Sequence, residues 1–157
     1  MPAIAGGIMS GDAEPLENVM AGASAVAIDG RALMIIGASG SGKSSLALAL
    51  IHRGADLIGD DALTLSRDGA HVIVSPPPNI SGKLEIHGIG IAEMPLGAPA
   101  PLSLVLDLDG PVTRLPQPGA VRTICGIDIP WLGFDPGSIA PAERALAALR
   151  LHALVFV

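Results

Sequence analysis

Short apolar segments separated by turn-forming residues run through most of the chain. Two pairs of these segments flank an Asp-Gly dipeptide, which is typical of a tight turn between antiparallel strands. The predicted hairpins join residues 24–28 to 32–36 around Asp29-Gly30, and residues 62–66 to 71–75 around Asp68-Gly69. Further strands are predicted at residues 57–58 and 102–108, and residues 121–129 suggest a third hairpin. The pattern therefore predicts a sheet built largely from hairpins.

Two segments have a helical pattern. Residues 44–52 are an apolar stretch that we expect to end at Arg53-Gly54, where Gly54 can adopt the left-handed conformation that closes many helices. Residues 140–154 are helical by composition and have Pro141 in the first turn, where proline is well tolerated. The two helices accompany the hairpins without regular strand–helix alternation, which favours a mixed sheet.

Length and composition are typical of one domain with an aliphatic core. A chain of 157 residues can bury a substantial core, and two Phe, one Trp and no Tyr leave aliphatic side chains to build it. The elements together predict an α/β fold with a mixed, hairpin-rich sheet over residues 20–157. We expect residues 1–19, which are rich in Gly, Ala and Pro, to be loosely ordered.

Charge and hydropathy argue against several classes of function. A formal net charge of −6, with 9 Lys and Arg residues, disfavours nucleic-acid binding and a polybasic membrane patch. Polar residues, Gly and Pro interrupt every apolar stretch, so we expect no membrane span, and the N-terminus does not resemble a signal peptide. The single cysteine, Cys125, is expected to be a small core residue of a cytoplasmic protein.

The segment after residues 32–36 carries the clearest chemical motif. Residues 37–44 match the phosphate-binding loop G-x-x-x-x-G-K-S, placed between a predicted strand and a predicted helix. In such a loop backbone N–H groups surround a phosphate, the lysine reaches the terminal phosphates and the serine hydroxyl binds Mg²⁺. The residues expected to hold a nucleotide are Gly37, Ala38, Ser39, Gly40, Ser41, Gly42, Lys43, Ser44 and Ser45.

Two further groups of polar residues could complete a phosphoryl-transfer site. Asp60 and Asp61 follow the predicted strand at residues 57–58; one carboxylate could hold Mg²⁺ and the other could accept a proton from an attacking hydroxyl. An ordinary solvated turn explains the same pair. Glu85 and His87 alternate with apolar residues, which would place both on one face of a strand, although a half-exposed strand has the same pattern.

Taken together, GASGSGKSSLALALIHRG, LIGDD and GKLEIHGIGI resemble the catalytic domain of the bacterial HPr kinase/phosphorylase family. The resemblance extends from about residue 23 to the C-terminal helix. It implies a P-loop kinase fold, ATP and Mg²⁺ as cofactors, and phosphorylation of a serine on an HPr-type phosphocarrier of the sugar phosphotransferase system. It also implies a homo-oligomer, and a short form that consists of the kinase domain alone.

The resemblance also assigns roles to individual residues. Ser44 and Glu85 would bind the metal, and the aspartate pair would supply the proton acceptor, with Asp61 favoured over Asp60. Arg114 matches an arginine that stabilises the transferring phosphoryl group, although a surface arginine in a loop explains it equally well.

Two departures from the family pattern reduce positive charge near an incoming phosphate. Gly22 stands where the family usually has a histidine, and His87 stands where it has an arginine. Histidine is shorter than arginine and lacks its two-pronged phosphate contact. Residues 130–140 also lack the basic loop that longer members use for dephosphorylation, so we expect weak or absent phosphorolysis.

Two other functions remain open on the sequence. A degenerate member of the family could bind ATP without catalysis and signal through a partner. A kinase of small metabolites is the third possibility, although it would normally need a lid with arginines, and residues 130–140 contain none.

Overall fold

The computed structural model describes residues 18–78, 82–117 and 119–156. Two helices lie in these ranges, α1 (Lys43–Ile51) and α2 (Pro141–His152). The strands are β1 (Asn18–Ala21), β2 (Ala23–Ile28), β3 (Arg31–Ile36), β4 (Asp56–Gly59), β5 (Ala62–Asp68), β6 (His71–Ser75), β7 (Lys83–Ile86), β8 (Gly90–Glu93), β9 (Ala100–Asp107), β10 (Val121–Ile124) and β11 (Ile127–Gly133). Among these described residues, no helix is long and apolar enough to cross a membrane.

Nine of the described strands join in one mixed sheet. Its main path runs β1-β5-β6-β9-β3-β2-β4, with β11 also paired to β9, and β10 to β11. The β3–β9 and β9–β11 pairs are parallel, whereas the other pairs in the sheet are antiparallel. Strands β7 and β8 form a separate hairpin. The predicted mixed, hairpin-rich α/β fold is therefore confirmed.

The predicted hairpins form around tight turns. Asp29 and Gly30 both have positive φ, 52° and 76°, as the two-residue turn favoured between twisted strands requires. The second hairpin differs slightly from the prediction, because Asp68 still pairs with His71 and the turn lies one residue later than Asp68-Gly69. Cys125 is buried as expected, although it lies at the turn of the third hairpin.

Alternate residues of the central strands pack into two aliphatic layers. On β3, Met34 and Ile36 face the layer closed by β5 and β6, while Leu33 and Ile35 face the layer covered by α1 and α2. The period of two along an extended strand produces this division. Because both faces of β3 are buried, the loop that follows it is held on a rigid support.

Helix and segment boundaries differ from the predictions by a few residues. Helix α1 begins at Lys43 and ends at Ile51, and Gly54 has the expected left-handed φ of 101°. Strand β1 begins at Asn18, so residues 18–19, which are expected to be loosely ordered, are part of the sheet instead. Residues 1–17 lie outside the described ranges.

Candidate functional site

The phosphate-binding motif lies between β3 and α1, as the sequence predicts. Gly40 and Gly42 have φ values of 82° and 107°, a left-handed conformation that is costly for other residues. Gly37 is required for a different reason, because a Cβ there would lie 2.5 Å from Ser41 Oγ. The glycines thus allow a compact loop whose backbone leads directly into the N-terminus of α1.

Lys43 is buried against the loop that precedes it. Its Nζ donates hydrogen bonds to the carbonyl oxygens of Gly37 at 2.8 Å and Ala38 at 3.0 Å. A lysine ammonium has three N–H donors, so one remains for a ligand. The ammonium is therefore held in place at the loop before any phosphate binds.

Asp60 is the centre of a hydrogen-bond network that joins four elements. Its Oδ1 accepts bonds from the hydroxyls of Ser44 on α1, at 2.7 Å, and Ser24 on β2, at 2.9 Å. Its Oδ2 accepts a bond from the backbone N–H of Glu85 on β7, at 3.0 Å. Because Asp60 follows β4 directly, these contacts fix its carboxylate beside the N-terminus of α1.

Asp61 is held by its backbone, and its side chain is exposed. Its N–H donates to Ser24 Oγ at 3.2 Å, and its carbonyl accepts from the N–H of Gly22 at 2.9 Å. The residue has a positive φ of 62°, a conformation that aspartate tolerates better than most residues. The neighbouring carboxylates are therefore placed differently: that of Asp60 is tied to the scaffold and that of Asp61 faces solvent.

The β7–β8 hairpin carries the predicted Glu85 and His87. Leu84 is buried and Glu85 is exposed, which confirms the alternation over this part of the strand. His87 was predicted to lie on the same strand face, but β7 ends at Ile86 and His87 begins the turn. Both side chains nevertheless line the same cleft.

A cleft of about 520 Å³ brings most of the predicted residues together. Its walls consist of Ser39, Gly40, Gly42, Lys43, Ser44, Ser45, Asp60, Asp61, Glu85 and His87. The remaining loop residues, Gly37, Ala38 and Ser41, do not line the cleft. Arg114 is exposed in the segment between β9 and β10 and does not line the cleft.

Two residues of the site were missed on the sequence. Ser24 is fully buried in β2 and links Asp60 to Asp61. Asp109 accepts a hydrogen bond at 2.7 Å from the N–H of Ala38 in the phosphate-binding loop. A signal existed for Asp109, since it follows a predicted strand and the carboxyl ends of parallel strands meet at one edge of a sheet.

The donor set fits a phosphate chain with Mg²⁺. The loop offers backbone N–H groups and a lysine, while Ser44, Asp60 and Glu85 offer the oxygen atoms that Mg²⁺ prefers. Ser41 Oγ is buried and has no hydrogen-bond partner in the described part of the chain, which is unusual outside functional sites. Mg²⁺ usually takes one or two carboxylates and completes its shell with phosphate oxygens and water, so few protein ligands suffice.

Comparison with known proteins identifies the family of the chain. The family model described as HPr serine kinase C-terminal domain matches residues 16–96, about half of the chain, including the loop, Asp60, Asp61 and Glu85. The chain belongs to this family. The predicted resemblance to the HPr kinase/phosphorylase family is thereby confirmed.

Individual members of the family show how far the similarity extends. The chain is 42% identical to the HPr kinase/phosphorylase of Clostridium tetani over 83 residues, which cover 53% of this chain and 27% of that protein. It is 35% identical to that of Cupriavidus metallidurans over 132 residues, covering 76% and 40%. The chain therefore matches less than half the length of these curated relatives.

A solved structure supports the fold over a longer range. The Hpr(Ser) kinase/phosphatase from Coxiella burnetii matches with a TM-score of 0.73 and 26% sequence identity. The match covers 85% of this chain and 94% of the Coxiella chain. The mixed sheet and its two helices are thus the fold of an HPr kinase C-terminal domain.

Proposed function

We propose that this domain uses Mg-ATP to phosphorylate a serine on an HPr-type phosphocarrier protein. The observation that carries the proposal is the network in which Asp60 joins Ser44 to Glu85, beside Lys43 and within the cleft that Asp61 also lines. Membership of the HPr serine kinase C-terminal domain family supports the choice of substrate. A cytoplasmic location and a homo-oligomer are parts of the same proposal.

The chain's own residues would hold the nucleotide at three points. The loop N–H groups and the third Nζ–H of Lys43 would donate to phosphate oxygens. Ser44 donates its proton to Asp60, so its oxygen lone pairs remain for a cation, and Glu85 lines the same cleft. A bound Mg²⁺ would neutralise phosphate charge and orient the terminal phosphoryl group.

We assign the proton acceptor to Asp61. The carboxylate of Asp60 already accepts three hydrogen bonds, which reduces its capacity to take a proton from a substrate hydroxyl. Asp61 exposes its carboxylate at the same cleft, and no side-chain hydrogen bond to it is found within the described residues. An incoming serine would therefore meet Asp61 first.

The proposed role of Arg114 requires a movement. Arg114 lies outside the cleft wall, so it could stabilise the transferring group only if the segment between β9 and β10 approaches the cleft when substrates bind. The assignment rests on the resemblance alone.

A non-catalytic ATP sensor is the second candidate function. It is favoured by Gly22 beside Asp61 and by His87 on the cleft wall, because both positions lack the cation that the family pattern predicts. Such a protein would bind Mg-ATP by the same loop and would transfer nothing.

Incubation with γ-labelled ATP, Mg²⁺ and a purified HPr-type carrier tests the proposal. The expected result is one phosphate on a carrier serine, located by mass spectrometry and absent when that serine is replaced by alanine. ATP binding without labelling of the carrier would favour the sensor. Labelling of a small molecule in a metabolite screen, but not of the carrier, would indicate a metabolite kinase.

A further inference from the structure

A second cavity, of about 470 Å³, lies on the other side of the phosphate-binding loop. Loops after β9 and β11 form its walls, whereas residues after β4 and on β7 form those of the cleft. In the sheet β9 and β4 lie on opposite sides of β3, so the two cavities flank the loop. Gly42 and Ser45 line both of them, which makes the cavities neighbours across the N-terminus of α1.

The wall of the second cavity combines apolar surface with two carboxylates. Leu46, Leu108, Pro136 and Pro141 supply the apolar part, and Asp109 and Asp135 supply the acids. Pockets for organic ligands commonly have this composition, with a few placed polar groups in an apolar wall, and the volume lies in their usual range.

The two carboxylates determine which ligands the cavity can accept. The Gly137 N–H and the Ser138 hydroxyl donate to Asp135 at 2.9 and 2.8 Å, and these bonds hold the pKa of its carboxyl below the ordinary value. Asp135 is therefore ionised at neutral pH, and Asp109 accepts from the Ala38 N–H with one oxygen. Acceptors of this kind disfavour phosphate and favour hydroxyl and amino donors.

The proposed position of the terminal phosphate limits where the rest of a nucleotide can lie. Under the proposed function, the terminal phosphate reacts in the cleft beside Asp61. The other end of a nucleotide must then leave the loop away from Asp60 and Glu85, and the second cavity borders the loop without either residue in its wall. A nucleoside has an apolar ring face together with hydroxyl or amino donors at its edge.

We propose that the second cavity binds the nucleoside of the phosphate donor. The apolar wall packs against the base, and Asp109 and Asp135 accept hydrogen bonds from ribose hydroxyls or base N–H groups. This inference rests on the proposed function, since it takes the loop to hold the phosphates.

Binding of Mg-ATP and of Mg-tripolyphosphate separates the two claims. Wild-type protein is expected to bind ATP more tightly than tripolyphosphate. Asp135→Asn should reduce that ratio by about tenfold, the effect of losing one charge-assisted hydrogen bond, without weakening the binding of tripolyphosphate. Gly137→Phe is a second variant that should lower the same ratio. A Cβ at position 137 would lie 3.3 Å from Asp135 Oδ1, so a phenyl ring attached there would crowd the cavity.

Asp68→Asn is the matched control, because Asp68 is an exposed aspartate that lines neither cavity. Weaker binding of 2′-deoxy-ATP than of ATP would locate the ribose at a carboxylate, and a preference for ATP over CTP would locate the base. An unchanged ATP-to-tripolyphosphate ratio in both variants would overturn the nucleoside site. Failure of wild-type protein to bind tripolyphosphate would instead overturn the assignment of the loop.

Discussion

Asp60 and Asp61 are adjacent in the chain but differ in how the fold holds them. Three hydrogen bonds fix the Asp60 carboxylate, whereas Asp61 is fixed through its backbone and a left-handed φ. Ser24 contacts both residues and is fully buried, so it keeps the pair in one arrangement. At the residue scale, the fold thus places one hydrogen-bonded carboxylate and one accessible carboxylate at the same cleft.

Replacement of Lys43 by alanine tests the loop. We predict that Lys43→Ala weakens Mg-ATP binding by about tenfold or more, because a charge-assisted hydrogen bond to phosphate is lost. Calorimetry measures the affinity, and thermal unfolding verifies that the domain remains folded. Lys83→Ala is the control, since Lys83 is exposed on β7 and does not line the cleft. Equal affinity in the two variants would contradict the assignment of the loop.

Substitutions at Gly22 test the strained backbone conformation next to the acidic pair. Its φ of 80° is strained for a residue with a Cβ, although no atom lies within 4 Å of the position that a Cβ would take. We predict that Gly22→Ala lowers the free energy of unfolding by about 1–2 kcal/mol, and that Gly22→Asn costs less because asparagine adopts this conformation more readily. Urea unfolding measures both. A smaller loss of unfolding free energy for Gly22→Ala than for Gly22→Asn would contradict this prediction.

At the scale of elements, the cleft is formed where several strand ends meet. Strand β3 is followed by the loop, β4 is followed by the aspartates, and the β7–β8 hairpin adds Glu85 and His87 to the cleft wall. Leu84 anchors that hairpin in the layer under α1, while Glu85 and His87 remain at the surface. A small two-stranded element thus carries Glu85, a proposed metal ligand, together with His87.

The hairpin also bears on the direction of the reaction. Phosphorolysis must hold phosphoserine and inorganic phosphate close together, and cations have to offset their repulsion. We predict that His87→Arg raises pyrophosphate release from serine-phosphorylated carrier and phosphate by about tenfold, because arginine adds a permanent charge and a two-pronged contact. His52→Arg, an exposed histidine outside the cleft, is the control. An equal rise in both variants would show that charge at position 87 does not set the direction.

At the scale of the whole molecule, short sequence patterns predict more of the structure than do contacts between distant residues. The loop and the Asp-Gly turns depend on a few consecutive residues, so they could be identified from the sequence. The contact between Ala38 and Asp109 joins positions 71 residues apart and depends on parallel pairing of β3 with β9. The pairing of β1 with β5 is also long-range, and it places Asn18 and Val19, which are expected to be loosely ordered, in the sheet.

Arg114 illustrates the same limit. A short motif suggested its role, but its distance from the cleft depends on the path of the exposed segment between β9 and β10, which has no periodic pattern to predict it. The candidate residues could be named from the sequence, whereas their grouping in one cleft depends on the folded sheet.

The residues proposed for phosphoryl transfer lie on α1, after β4 and on β7, so the proposal concerns the domain as a whole. The most direct test measures ATP affinity and phosphoserine formation on an HPr-type carrier in the same samples, for wild-type protein and Asp61→Asn. We predict unchanged ATP affinity and transfer lowered by about 10²- to 10⁴-fold, the usual range for loss of a general base. Normal transfer by Asp61→Asn, or a wild-type protein that binds ATP and leaves the carrier unmodified, would contradict the account.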